Sequence, residues 1–276
     1  MNLEGKKRII SFGCSFTSGA ELIDHELLGI SFDDCNKMKH KWTSDKIPMH
    51  EFEDYVTRNA NLTSKQYINM GSKRSYVYKL ADKLGLEHVN YAVPGSAVDH
   101  MVLNLFQAYH TQQINPETDI IFLGITTPHR YLTFSPERTG AALSRVMDYY
   151  HVQDSDMHYN DYKIMQTYFF ALQNFKNFCI ANNFDFYLQP VPPIKLLFYN
   201  DTDPKTGNMF ADINSAWSFL PIFKKLFEDI MQYSVSSNLS LFSGHDRTFC
   251  GFMHPTETAH ERFSQELYDE IVANQN

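Results

Sequence analysis

Short apolar runs bounded by turn residues alternate along this chain with segments whose apolar positions recur every three or four residues. The run Ile9–Gly13 predicts a first strand, and Ser18-Gly19-Ala20-Glu21 has the spacing of a capping box opening a short helix that stops near Gly29. Residues 30–72 are polar, aromatic and irregular in pattern, with one helix expected around Glu51–Asn59. Val77, Leu80, Ala81 and Leu84 mark one face of a helix over Ser75–Leu84 that Gly85 ends. Val89–Val93 predicts a second strand, and Ser96-Ala97-Val98-Asp99 a second capping box for a helix reaching about His110.

Asp119–Gly124 predicts a third strand, apolar enough for a sheet covered on both faces. A second irregular stretch, 125–160, precedes a long helix over Asp161–Asn182 and a strand over Asp185–Gln189. Ala216–Tyr233 reads as a helix, Leu239–Phe242 as a short last strand and Thr256–Val272 as the closing helix. In that closing helix Ala259, Phe263, Leu267 and Ile271 form the buried stripe. Strand–helix alternation of this kind predicts a three-layer α/β/α sandwich. About five parallel strands in a flavodoxin-like order are expected, within a single domain over 1–276 with insertions at about 30–72 and 125–160.

Composition narrows the function. A 43% hydrophobic share with 20% charged residues describes an ordinary globular chain. The formal charge of -8 argues against a nucleic-acid surface. Lys37, Lys39, Lys41 and Lys46 are flanked by Asp33, Asp34 and Asp45 and read as a solvated loop. No run of about 18 apolar residues predicts a membrane span, and the charged N-terminus lacks the apolar stretch of a secretory signal. Cys14, Cys35, Cys179 and Cys250 show no paired spacing, so a reducing, cytoplasmic setting is expected. Neither G-x-G-x-x-G nor a P-loop follows any strand, so no nucleotide cofactor is expected. His254 and His260 stand six residues apart on different sides of a helix, and nothing completes a ligand set around His245-Asp246, so no metal is expected.

Chemistry concentrates at three strand ends. Gly13-Cys14-Ser15 puts a hydroxyl at the carboxyl edge of the sheet, where open α/β folds bind ligands. Gly95 follows the second strand and precedes a helix N-terminus, where backbone N–H groups suit an anion. His254 lies just before the closing helix and supplies a candidate base. Thr127, His129 and Arg130 follow the third strand and border the same cleft, Arg130 being suited to a carboxylate or phosphate.

Taken in chain order, Gly13-Cys14-Ser15-Phe16-Thr17, Asn90–Gly95, Phe122–Thr127 and His254-Pro255 resemble the four conserved segments of the SGNH (GDSL-type) hydrolase family. The Gly-Cys-Ser variant is also similar to members that tailed phages encode. The resemblance implies a serine esterase acting on a small acyl ester, often acetyl, of a carbohydrate or lipid-like substrate. Ser15 would be nucleophile, His254 base and then acid, and Ser15, Gly95 and Thr126 the oxyanion hole. Three departures from the family pattern stand out: Cys14 replaces an aspartate, Thr126 an asparagine, and Gly251 the acid three residues before the histidine. Asp246 folding back, or a backbone carbonyl, would then orient His254. The rival reading is a catalytically impaired carbohydrate-binding or structural protein on the same fold.

Overall fold

The computed structural model describes residues 3–47, 49–94, 96–126, 130–134, 142–146, 157–190, 225–226, 229–230, 232–233 and 254–273. Among them, β1 (Arg8–Phe12), β2 (Glu87–Asn90), β3 (Asp119–Ile125) and β6 (Asp185–Pro190) form one parallel sheet in the order β2-β1-β3-β6. The chain therefore starts in the middle of the sheet, steps to one side for β2 and crosses back for β3, as in a doubly wound fold. Register pairs Ser11 with Asn90 and Phe122, and Phe12 with Leu123. Every residue of β3 is buried, which accounts for its unbroken apolar run. Two further strands, β4 (Arg130–Phe134) and β5 (Ala142–Val146), form a separate antiparallel pair inside the stretch expected to be irregular.

Helices cover both faces. On one side α7 (Val98–His110) and α8 (Met157–Ala181) pack against Ile10, Phe12, Ile121, Leu123 and Leu188. On the other, α6 (Tyr76–Lys83) and α9 (Glu257–Ala273) pack against Ile9 and Phe122 through Val77, Leu80, Phe263, Leu267 and Ile271. The strand alternation of Ile9 and Ile10 divides the two cores. The apolar stripe of the closing helix is buried as its period of four predicts.

The first crossover differs most from expectation. Ahead of α6 it holds five further helices, α1 (Ser15–Ser18), α2 (Asp24–Leu28), α3 (Phe32–Ser44), α4 (Met49–Asn59) and α5 (Ser64–Ser72), with a core around Ile23, Cys35, Phe52, Val56 and Tyr67. Caps place them, Ser31 for α3 and a reciprocal Thr63–Gln66 capping box for α5. Of the lysines read as a solvated loop, Lys37, Lys39 and Lys41 lie on α3 and Lys46 just past it; Lys39 points inward on the same face as Cys35, while Lys37 pairs with Asp34 in solvent. Residues two apart on a helix diverge by about 200°, so neighbouring lysines need not share a fate.

Neither predicted capping box upstream of the sheet crossovers forms. Ser18 ends a helix instead of starting one, its hydroxyl donating to the Ser15 carbonyl at 3.0 Å. Ser96 bonds His100 Nδ1 at 2.9 Å, and α7 starts after Ala97 without a side-chain cap. The helix expected at Ala216–Tyr233 and the strand at Leu239–Phe242 fall largely or wholly outside the described residues.

Candidate active site

The turn after β1 is built by packing against Thr17. A Cβ added at Gly13 would stand 2.2 Å from Thr17 Oγ1, and one added at Gly124 2.1 Å from the same atom. A glycine just past β1 and another on the neighbouring β3 thus leave room for a buried threonine, which docks α1 on the sheet edge. Thr17 Oγ1 also meets the Tyr76 hydroxyl at 3.4 Å, and the Tyr76 ring packs 4.9 Å from Phe263. His260 Nδ1 accepts the backbone N–H of Tyr76 at 3.0 Å, so the first turn of α6 is capped from α9. Burial, with the charges of His254 and Lys79, pushes the His260 imidazole down to about 3, keeping it neutral and able to accept. Salt bridges from Arg74 and Lys79 to Glu257 hold the start of α9 against α5–α6.

These contacts carry the two ends of the chain to one point. His254 Nε2 lies 2.7 Å from Ser15 Oγ. On the other side of the ring, His254 Nδ1 lies 2.6 Å from Glu21 Oε1. All three side chains are buried. Burial works to raise the Glu21 carboxyl, but the hydrogen bond and charge of His254 and the ammonium of Lys39 outweigh it and hold the group below its ordinary value. An ionised carboxylate only accepts, so in the neutral form of the ring Nδ1 carries the proton and Nε2 is left to accept from the Ser15 hydroxyl. The arrangement is a hydroxyl, a base and an orienting acid in one line.

Glu21 is the residue that sequence reasoning missed. It sits in the turn between α1 and α2 at φ 68°, a left-handed conformation uncommon outside glycine. Such strain persists where surroundings over-determine it, and often at functional sites. Gly19, also left-handed, stops α1 and turns the chain so that Glu21 faces back toward Ser15's partner. The usable signal was an acid six residues past the serine behind a helix-stopping glycine; the Ser-x-x-Glu spacing masked it.

Behind Glu21 lies a second tier. Lys39 Nζ meets Glu21 Oε2 at 3.2 Å and forms an ion pair with Asp24 Oδ2 at 2.7 Å, with all three side chains about 1% exposed. Tyr67 donates its hydroxyl to Asp24 Oδ1 at 2.7 Å. Burial and the neighbouring Asp24 and Glu21 charges push the nearby Glu53 carboxyl up to about 7.

Of the other predicted residues, Thr126 is buried just past β3, its carbonyl accepting from the Tyr168 hydroxyl at 3.1 Å. Cys14 packs into the α7–α8 core, an apolar site where an aspartate would lose its solvation. Arg130 opens β4. Gly95, Thr127, His129, Asp246 and Gly251 lie outside the described residues, as does the Arg130 side chain. The loop leading to Gly95 is tied to the turn that carries Ser15 by Val93 N–H donating to the Gly13 carbonyl at 3.0 Å. Among the described residues no cluster of three His, Cys, Asp or Glu side chains suits a metal, and no helix is long and apolar enough to cross a membrane.

No family model and no curated protein matches the sequence. Solved structures do. The chain is similar to a psychrotrophic esterase from a Pseudoalteromonas species at 11% identity and TM-score 0.45, covering 98% of this chain and all of that one. It is similar to a carbohydrate acetylesterase from Sinorhizobium meliloti at 11% identity and TM-score 0.46, covering 98% and 100%. A GDSL-like lipase from Bacteroides thetaiotaomicron stands at 10% identity and TM-score 0.44, covering 100% and 92%. Likeness at this level does not reach chemistry, which rests on the geometry of Ser15, His254 and Glu21.

Proposed function

We propose that this chain is a serine hydrolase that cleaves a small acyl ester, acetyl above all, of a carbohydrate or lipid-like substrate. The observation that carries the reading is the unbroken hydrogen-bonded line Ser15–His254–Glu21. Ser15 Oγ attacks the ester carbonyl carbon while His254 Nε2 takes its proton, with Glu21 stabilising the imidazolium. Collapse of the tetrahedral intermediate breaks the bond to the alcohol, which leaves with the proton from His254. Water then attacks the acyl-serine by the reverse proton path, releasing the acid and restoring Ser15.

The oxyanion falls to the Ser15 backbone N–H at the start of α1, with Gly95 and Thr126 assigned by the family resemblance. The rival, a catalytically impaired binding protein, drew its force from the missing acid before His254 and from Thr126 in place of an asparagine. A carboxylate from elsewhere in the chain on Nδ1 weakens the first of these arguments.

A fluorophosphonate probe tests the reading directly. It labels the wild type and fails on Ser15→Ala and His254→Ala, and the same substitutions abolish release of acetate from acetylated sugars or short-chain esters. An unlabelled wild type, or undiminished turnover in either variant, sinks it.

A further inference from the structure

We propose that Lys39, held by Asp24, is a positioning residue for the Glu21 carboxylate, so that the helices of the first crossover are part of the proton-transfer apparatus. The inference rests on the hydrolase reading above. The two carboxylate oxygens of Glu21 have divided tasks: Oε1 meets His254 and Oε2 meets Lys39. An ammonium at that position fixes the carboxylate's rotation about its own axis, and with it the direction of the bond to Nδ1. Lys39 itself is held at a second point, Asp24, which in turn is held by the Tyr67 hydroxyl. The four groups come from the turn after α1 and from α2, α3 and α5.

Charge points the same way. Among the described residues, the titratable groups around Glu21 are His254 before α9, Asp24 on α2, Cys35 and Lys39 on α3, Glu53 on α4 and Tyr67 on α5. Lys39 is the only lysine or arginine among them, facing three carboxyl groups. Without it, Glu21 would sit in a dry pocket beside Glu53, with His254 alone to favour its charge, and desolvation would favour its protonation. A protonated Glu21 no longer favours a proton on Nδ1 or stabilises the imidazolium, and Ser15 loses its base. A purely structural ion pair would hold the helices together yet leave the chemical step untouched.

The test compares kinact and KI for fluorophosphonate labelling of Ser15 as a function of pH. Lys39→Met/Asp24→Asn removes one charge of each sign, so no unpaired lysine or extra net charge is left buried. We expect kinact to fall about tenfold or more, KI to stay within about twofold, and the acid limb of the profile to move up by about one pH unit. Lys37→Met, on the exposed face of the same helix, should match the wild type. A folded double variant with wild-type kinact and pH profile overturns the inference while leaving the Ser15–His254 assignment to its own variants. Should the double variant not fold, Tyr67→Phe decides, because it frees an Asp24 oxygen to draw Lys39 from Glu21. A smaller shift in the same direction supports the inference, and an unaltered profile overturns it.

Discussion

Replacing Glu21 by glutamine keeps its shape and removes its charge, and the surroundings dictate how the new amide must sit. Lys39 Nζ lies 3.2 Å from the position of Oε2 and has only protons to offer, so the amide oxygen turns toward it. The amide NH₂ then faces His254 Nδ1, at the 2.6 Å position that Oε1 occupies in the wild type. Two donors cannot meet there, so the imidazole moves its proton to Nε2. That is the nitrogen on which Ser15 depends. An imidazole held in the wrong tautomer by such a substitution in a serine protease loses about 10⁴ in rate. That loss amounts to about 5 kcal/mol of transition-state stabilisation.

We therefore expect Glu21→Gln to lower fluorophosphonate labelling and ester turnover by about 10³- to 10⁴-fold, with KM or KI little changed. Circular dichroism and thermal melting establish that the fold persists. If a backbone carbonyl or Asp246 oriented His254 instead, the substitution would cost no more than a few-fold. A folded Glu21→Gln protein within about threefold of wild-type rate refutes the triad as drawn.

Two further outcomes test the packing and the charge around the site. Gly124→Ala should lower stability by about 1–3 kcal/mol by overpacking Thr17, as read from thermal melts. Thr17→Ala should restore part of that loss, because the remaining approaches are 3.0 Å to the Tyr76 hydroxyl and 3.3 Å to Thr17 Cβ; at Gly13 it should not, because the added Cβ would still stand 2.4 Å from that of Thr17. Glu53 concerns pH. Its carboxyl is pushed up to about 7 from an ordinary 4.5, so its contribution to stability is present below pH 4.5 and lost as pH rises through 7. Glu53→Gln should therefore gain stability over the wild type between pH 5 and 8, by up to about 3 kcal/mol in chemical denaturation. A difference that stays constant with pH would contradict the burial argument.

The resemblance in four short segments named Ser15 and His254, and the described structure brings them within hydrogen-bonding distance. Glu21 stayed hidden for a local reason. Ser18-Gly19-Ala20-Glu21 satisfies the spacing of a helix start, but Gly19 in the left-handed region makes it a helix stop, and the two differ by backbone torsion rather than by residue type. Lys39 stayed hidden because a lysine among lysines and aspartates looks solvated until its helix is known to have a buried face.

What the sequence settled alone were the features that periodicity writes locally: a parallel sheet between helical layers, a fully covered third strand, and the buried stripe of the closing helix. These follow from burying apolar surface, which a run of neighbouring residues decides among themselves. The partners of His254 were a tertiary matter. They depend on two glycines making room for Thr17, on His260 capping α6 from α9, and on Lys39 offsetting the desolvation of Glu21. A charged side chain can be buried only where the folded chain assembles its counter-charge, and here that counter-charge comes from a helix eighteen residues further along.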